Sequence, residues 1–234
     1  MAIRPWTRRA AAVGLALVMI GVPAALAAIR TITRADALAV ANAISLRHGD
    51  LPTLKPEPNP NTAQDQRATA ALTKCVGGVP DSEAFANTQS DNFVSADQAI
   101  TISSSTAILP TAALVAKDFA ALARPQALTC VLDQLGASLR ASLPKADRAT
   151  STVARIPSVV PGVAESAAIR LEIVVAVPKG TSTVKVPIYS DVIGFAYGQA
   201  EISMNIQQTV DPPTASFERQ LAALLLTRAR AAIG

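Results

Sequence analysis

The side chains that most often carry catalysis or hold metals are scarce in this 234-residue chain: one histidine, His48, and two cysteines, Cys75 and Cys130. A single histidine near the end of a predicted helix cannot assemble a histidine-rich metal site. A serine triad would have to recruit that same residue, yet no Gly-x-Ser-x-Gly elbow presents a nucleophile. Ser90-Asp91-Asn92 and Ser142-Leu143-Pro144-Lys145 match pieces of a β-lactamase signature, but in reversed order, and Pro178-Lys179-Gly180-Thr181 is not Lys-Thr-Gly. Neither a phosphate-binding glycine loop nor a dinucleotide fingerprint occurs. The acids Glu165, Glu172, Asp191 and Glu201 fall in or near a strand-like region, where two could approach each other as a carboxylate pair. Aromatic residues make up only 3% of the chain, too few to build a sugar-stacking surface around such a pair. No catalytic residue, cofactor or metal ligand is therefore expected.

The two cysteines can pair within the chain in one way only, and no Cys-x-x-Cys redox motif exists. In an oxidising compartment they predict a disulfide, Cys75 to Cys130; two buried free thiols are the alternative. Such a compartment is suggested by the first 28 residues. Arg4, Arg8 and Arg9 precede an apolar run from Ala10 to Val22, and Ala25-Leu26-Ala27 supplies a small-x-small cleavage pattern. This reads as a signal peptide cleaved after Ala27 or Ala28, with a retained membrane anchor as the alternative. The chain's formal charge of +4 includes these three arginines, which no acid in the segment balances, so residues 29–234 carry about +1. No basic cluster remains on any one element, which excludes the electrostatic footprint of a nucleic-acid binder.

The elements that would position these residues centre on Ala168 to Gln208. Ile169, Leu171, Ile173, Val175 and Val177 recur at every second position; Val184, Val186 and Ile188 repeat the pattern, as do Ile202, Met204 and Ile206. Short turns between these runs predict an antiparallel three-strand meander. Thr150–Ile156, Phe93-Val94 and Ala99–Leu109 read as further strands, and the Ser103-Ser104-Ser105-Thr106 run suggests that the last of these lies at a solvated sheet edge. Helices are predicted over Thr33–His48, with Leu38, Ala41, Ile44 and Ser45 on one face, and from Thr62 to Gly77-Gly78 with Ala68, Ala71, Leu72 and Cys75 on one face. Two more span Ala112–Leu143 with a break at Arg124-Pro125, the second carrying a Leu128, Leu132, Leu135, Leu139 stripe. The last begins at Asp211-Pro212-Pro213, with Asp211 as its cap, Phe217, Leu221, Leu224 and Leu225 inward and Arg219, Arg228 and Arg230 outward. Asp81–Asn92 reads as a polar loop. Pro52, Pro56, Pro58 and Pro60 make residues 50–61 an extended surface segment, either a connector or a flap over an apolar cleft.

These elements define an α+β class: a largely antiparallel twisted sheet, with its meander at 168–208, packed by helices as a single exported domain, 29–234, with one disulfide. Asp50-Leu51-Pro52, Cys75-Val76-Gly77-Gly78, Cys130, Asp191-Val192-Ile193-Gly194-Phe195, Tyr197-Gly198-Gln199-Ala200-Glu201 and the proline-opened terminal helix occur in an order that resembles a group of actinobacterial exported proteins with a PsbP-like α/β/α arrangement. The resemblance covers roughly Thr33 to Ile233. It implies a non-catalytic exported domain with a disulfide and brings no catalytic residues. The expectation is a binding or interaction module of the cell envelope, its partner an apolar small molecule, lipid, polymer or protein. The alternatives are a membrane-tethered sensor or structural domain, touching the membrane only through a retained N-terminal segment, and a hydrolase using an unrecognised carboxylate site.

Overall fold

The computed structural model describes residues 29–142, 148–179 and 182–234. The proposed signal segment with Ala27 and Ala28, part of the Ser142–Lys145 motif and the Gly180-Thr181 turn lie outside the described residues.

Among the described residues eight strands form one sheet in the order β1-β3-β4-β8-β7-β6-β5, with β2 also paired to β4. The strands are β1 Lys55–Glu57, β2 Ala86–Gln89, β3 Asn92–Val94, β4 Ile100–Ile108, β5 Arg148–Arg155, β6 Ser166–Lys179, β7 Ser182–Tyr197 and β8 Ala200–Thr209. Every described pairing is antiparallel. The helices are α1 Ala37–Ile44, α2 Ala63–Val76, α3 Ala112–Leu122, α4 Gln126–Ser142 and α5 Ala215–Ile233. Strands β6, β7 and β8 are the predicted meander, and α3 and α4 meet at Pro125 as expected, because proline is tolerated in a first helical turn.

Strand alternation places different chemistry on the two faces. On β7 and β8, Ile193, Phe195, Ile202, Met204 and Ile206 point to one face, where α1 and α5 cover them to 1% exposure or less. Fully burying each such side chain contributes roughly 1.5–3 kcal/mol. The neighbours Val192, Gly194, Glu201, Ser203 and Asn205 therefore face the other way, and in register with them stand Ser105 and Ala107 of β4. On β6 the apolar set is turned to this second face: Leu171, Ile173 and Val175 pack against Leu132 of α4, Val153 of β5 and Ile188. The meander is thus covered on opposite faces at its two ends, which gives the three-layer α/β/α arrangement.

Several local expectations change. The predicted loop 81–92 contains β2, whose residues pair with Ser105–Ile108. Strand β4 is internal to the sheet, with β2 and β3 on one side and β8 on the other. Ser104 and Thr106 are buried because α1 uses them: the Leu46 N–H donates to Ser104 Oγ at 2.9 Å, and the Ser45 hydroxyl reaches Thr88 and Thr106. Helix α1 is shorter than predicted and leaves Leu38 exposed, burying Ala37, Val40, Ala41 and Ile44. The cap of α5 is Thr214, whose hydroxyl accepts from the Phe217 N–H, not Asp211. Arg228 turns inward and grips Asp50 with two hydrogen bonds of 2.7 and 2.6 Å while donating to the Ser45 carbonyl. Burial works to raise the Asp50 carboxyl, but the hydrogen bonds from Arg228 and Arg47 outweigh it and hold the group below its ordinary value.

Helix α2 starts at the predicted capping box: the Asp65 N–H donates to Thr62 Oγ1 at 3.2 Å and the Thr62 N–H to Asp65 Oδ2 at 3.0 Å. It stops at Gly77, whose φ of +76° is a left-handed cap. Most of α2 is exposed, including Ala71 and Cys75; only Val76 is buried. What fixes it is the Cys75–Cys130 disulfide to α4, Cα to Cα 5.8 Å, with Val76 packed beside Ala127 and Cys130. Closing a loop with a sequence separation of 55 contributes about 4 kcal/mol by the chain-entropy relation.

Candidate functional site

A cavity of about 440 Å³ opens between the second face of the sheet and the layer formed by α2, α3 and α4. Its origin is the small side chains on β4, β6, β7 and β8. Ser105, Ala107, Ala167, Gly194 and Ser203 form the floor, so the helices above cannot close onto it. The Ser105 and Ser203 hydroxyls bond to each other at 2.7 Å, and the Phe119 ring of α3 stands beside Gly194, where an added Cβ would lie 3.5 Å from it. Leu72, Val76, Leu122, Leu128 and Val131 give the helical walls an apolar lining.

At one end the lining turns acidic. Asp81 is exposed at the rim, and Asp118 of α3 and Glu201 of β8 lie further in. Asp118 accepts the Val79 N–H at 2.6 Å, and its carboxylate comes so close to Gly78 that a Cβ there would sit 2.5 Å from Oδ1. The Gly77-Gly78 pair thus ends α2 and admits the Asp118 carboxylate. Burial, then the charge of Asp118 with which it shares a hydrogen bond, then that of Asp81, push Glu201 up to about 8. Asp81 is raised too, by partial desolvation at the rim and by the charge of Asp118. Among the described residues the lining has one basic side chain, Arg155, whose Nη2 donates to the Leu122 and Arg124 carbonyls at 2.6 and 3.0 Å.

The acids singled out from the sequence do not converge. Of the four, Glu201 alone lines the cavity. Asp191 faces the opposite side of the sheet, fully buried, where Arg170 Nε and Nη2 donate to it at 2.7 and 2.5 Å. Glu218 of α5 completes that second group: it is 2% exposed, its Oε1 has no hydrogen-bond partner, and Arg170 Nη2 is 3.8 Å away. Burial and its hydrogen bond to Asp191 raise Glu218 to about 8. Glu165 and Glu172 are half-buried and line neither group. His48 is exposed on a short 3-10 turn, outside the cavity lining. The Ser90 hydroxyl is structural, donating to the Asp91 carbonyl and accepting from the Ser104 N–H.

Sequence reasoning missed Asp81 and Asp118, and it expected the apolar cleft under a different segment. The Pro52–Pro60 segment does not roof it; that segment supplies edge strand β1, and α2 is the roof. The residues of the Tyr197–Glu201 run divide their work. Gly198 turns at a φ of +59°, and the buried Gln199 side chain accepts from the Ile32 N–H at 2.6 Å and donates to the Leu109 and Pro110 carbonyls.

No family model matches the chain, and no curated protein matches it. Among solved structures, the extracellular domain of PknH from Mycobacterium tuberculosis is similar with a TM-score of 0.43 at 10% identity, covering 87% of this chain and 99% of that one. Among the described residues no group of three or more His, Cys, Asp or Glu is arranged to hold a metal ion, and no helix is long and apolar enough to cross a membrane.

Proposed function

We propose that the chain is an exported, non-catalytic binding module of the cell envelope, and that its ligand occupies the cavity beneath α2. The observation that carries this reading is the cavity: an apolar-walled space floored by small residues, in a molecule whose opposite face is packed to near-complete burial. Export accords with the disulfide and with the N-terminal charge and hydropathy pattern.

The convergence of three carboxyls favours a second reading, a hydrolase with Glu201 as protonated acid. Against it, Phe119 is the one aromatic side chain among the described lining residues, too little to hold a sugar beside a carboxyl pair. Asp118 is moreover committed to the Val79 N–H.

The test is binding of an environment-sensitive apolar dye to the secreted protein and to Ser203→Phe, which fills the floor. Saturable binding that the substitution abolishes, with cooperative unfolding intact, supports the cavity as the site; equal binding to both proteins refutes it. The intact mass of that protein, with and without reductant, reports whether the chain begins near Ile29.

A further inference from the structure

The apolar walls say only that the ligand has an apolar body. The polar end says more, since its charge is of one sign. Besides Asp81, Asp118 and Glu201, the lining holds Asp65, whose carboxylate is engaged by Thr62, and the one arginine among the described lining residues is already bonded to two main-chain carbonyls. A ligand that left this end empty would leave the carboxyls facing one another. One carrying a carboxylate or phosphate would add to their repulsion.

Resting on the reading of the cavity as a ligand site, we propose that its occupant is an amphipathic organic cation, an amine whose ammonium group sits among Asp81, Asp118 and Glu201 while its hydrocarbon part lies between the α2–α4 walls and the Ser105–Ser203 floor. A metal cation is a poorer match, because the carboxyls are not arranged for coordination and no histidine or free thiol joins them. The ring of Phe119, which lines the same space, is a further favourable neighbour for an ammonium group.

Binding of a cation has a consequence that binding of a neutral molecule lacks. Glu201 holds its proton below about pH 8 because burial, Asp118 and Asp81 all oppose its charge. The groups facing it from α3 and from the 3-10 turn Asp81–Glu83 are those two acids, and Arg155 is the basic residue of the described lining. An incoming ammonium group reverses the local potential, so Glu201 ionises and the proton leaves to solvent. At pH 7 uptake of the amine is therefore an exchange of one cation for another, and affinity rises with pH toward 8.

Octylamine, octanol and octanoate, equal in chain length, separate the possibilities. Titration calorimetry of the secreted protein at pH 7, in two buffers of different ionisation enthalpy, reads affinity and proton release together. The expected order is amine, alcohol, carboxylate, with the amine at least about tenfold tighter than the alcohol, the size of a charge-assisted hydrogen bond. Proton release should accompany the amine alone. Glu201→Gln should abolish that release and narrow the amine's advantage over octanol, and Asp81→Asn at the rim should narrow it by a smaller factor. Equal affinity for amine and alcohol, or tightest binding of octanoate, overturns the cation assignment and leaves the cavity reading standing. Failure of all three probes overturns both.

Discussion

The two faces of the sheet are built from alternate residues of the same strands, yet they behave as different materials. The α1–α5 face is filled: Ile202, Met204, Ile206, Ile193 and Phe195 meet Ala41, Ile44, Leu225 and Ala229, each at 1% exposure or less. The α2–α4 face is filled in two patches, where α4 packs on β5 and β6 and where Val115 and Phe119 of α3 meet Ala167 and Ala196, and between the sheet and α2 its small side chains leave a cavity. Tight packing and open space are thereby separated by strand alternation, one residue apart in sequence.

The largest test of that division is a pair of neighbours. Ile202→Ala should cost about 2–5 kcal/mol in urea unfolding, as a buried large-to-small change does. Ser203→Ala, facing the cavity, should cost no more than about 1 kcal/mol, the worth of one hydrogen bond. Comparable losses at the two positions would erase the distinction between the faces. Next in size is the disulfide. Cys130→Ala together with Cys75→Ala should lose up to about 4 kcal/mol, and hydrogen exchange should rise in α2 while α1 and α5 stay protected.

A third test uses pH. Glu218 and Glu201, one on each face, both hold their protons to about 8 in the folded state, above the ordinary glutamate value near which they ionise when unfolded. Their contribution is complete below the unfolded value and is lost as pH rises toward 8, so stability should fall over that interval. Asp50 works in the opposite sense: its lowered folded value means that its ion pair with Arg228 stabilises above the ordinary aspartate range and is lost on acidification. Unfolding free energies measured from pH 2 to 9 should therefore be smaller at both ends, and Glu218→Gln should flatten the alkaline limb. A limb unchanged in that variant and in Glu201→Gln would sink the assignment. The smallest effect should come from Asp211→Ala: it leaves the Thr214 cap in place and should change stability by less than about 0.5 kcal/mol, against about 1 kcal/mol for Thr214→Ala.

What could be read from the sequence was whatever repeats locally. The period-two runs gave β6, β7 and β8, the Thr62–Asp65 spacing gave the start of α2, and Pro125 gave the break between α3 and α4. Strand β2 escaped because Ala86–Gln89 has no alternating apolar set and is held by main-chain pairing with β4. Arg228 was placed outside because its helix position suggested solvent, whereas Asp50, 178 residues earlier, supplies its partner. The candidate site was the least legible part, with Glu201 alone recognised in advance. Asp81, Asp118 and Glu201 come from a turn, a helix and a strand that nothing in their local patterns connects, and a cavity is defined by the volume that Ser, Ala and Gly do not occupy.

One junction bears on how the domain is held. The Arg30 N–H donates to the Ile233 carbonyl at 3.0 Å, and Gln199 bonds the Ile32 main chain on one side and Leu109 and Pro110 on the other. The first and last described stretches are therefore stitched together beside the β7–β8 corner. A pull applied through residue 29 or through residue 234 reaches the same few bonds, so suspension from either end hangs the sheet from a single corner.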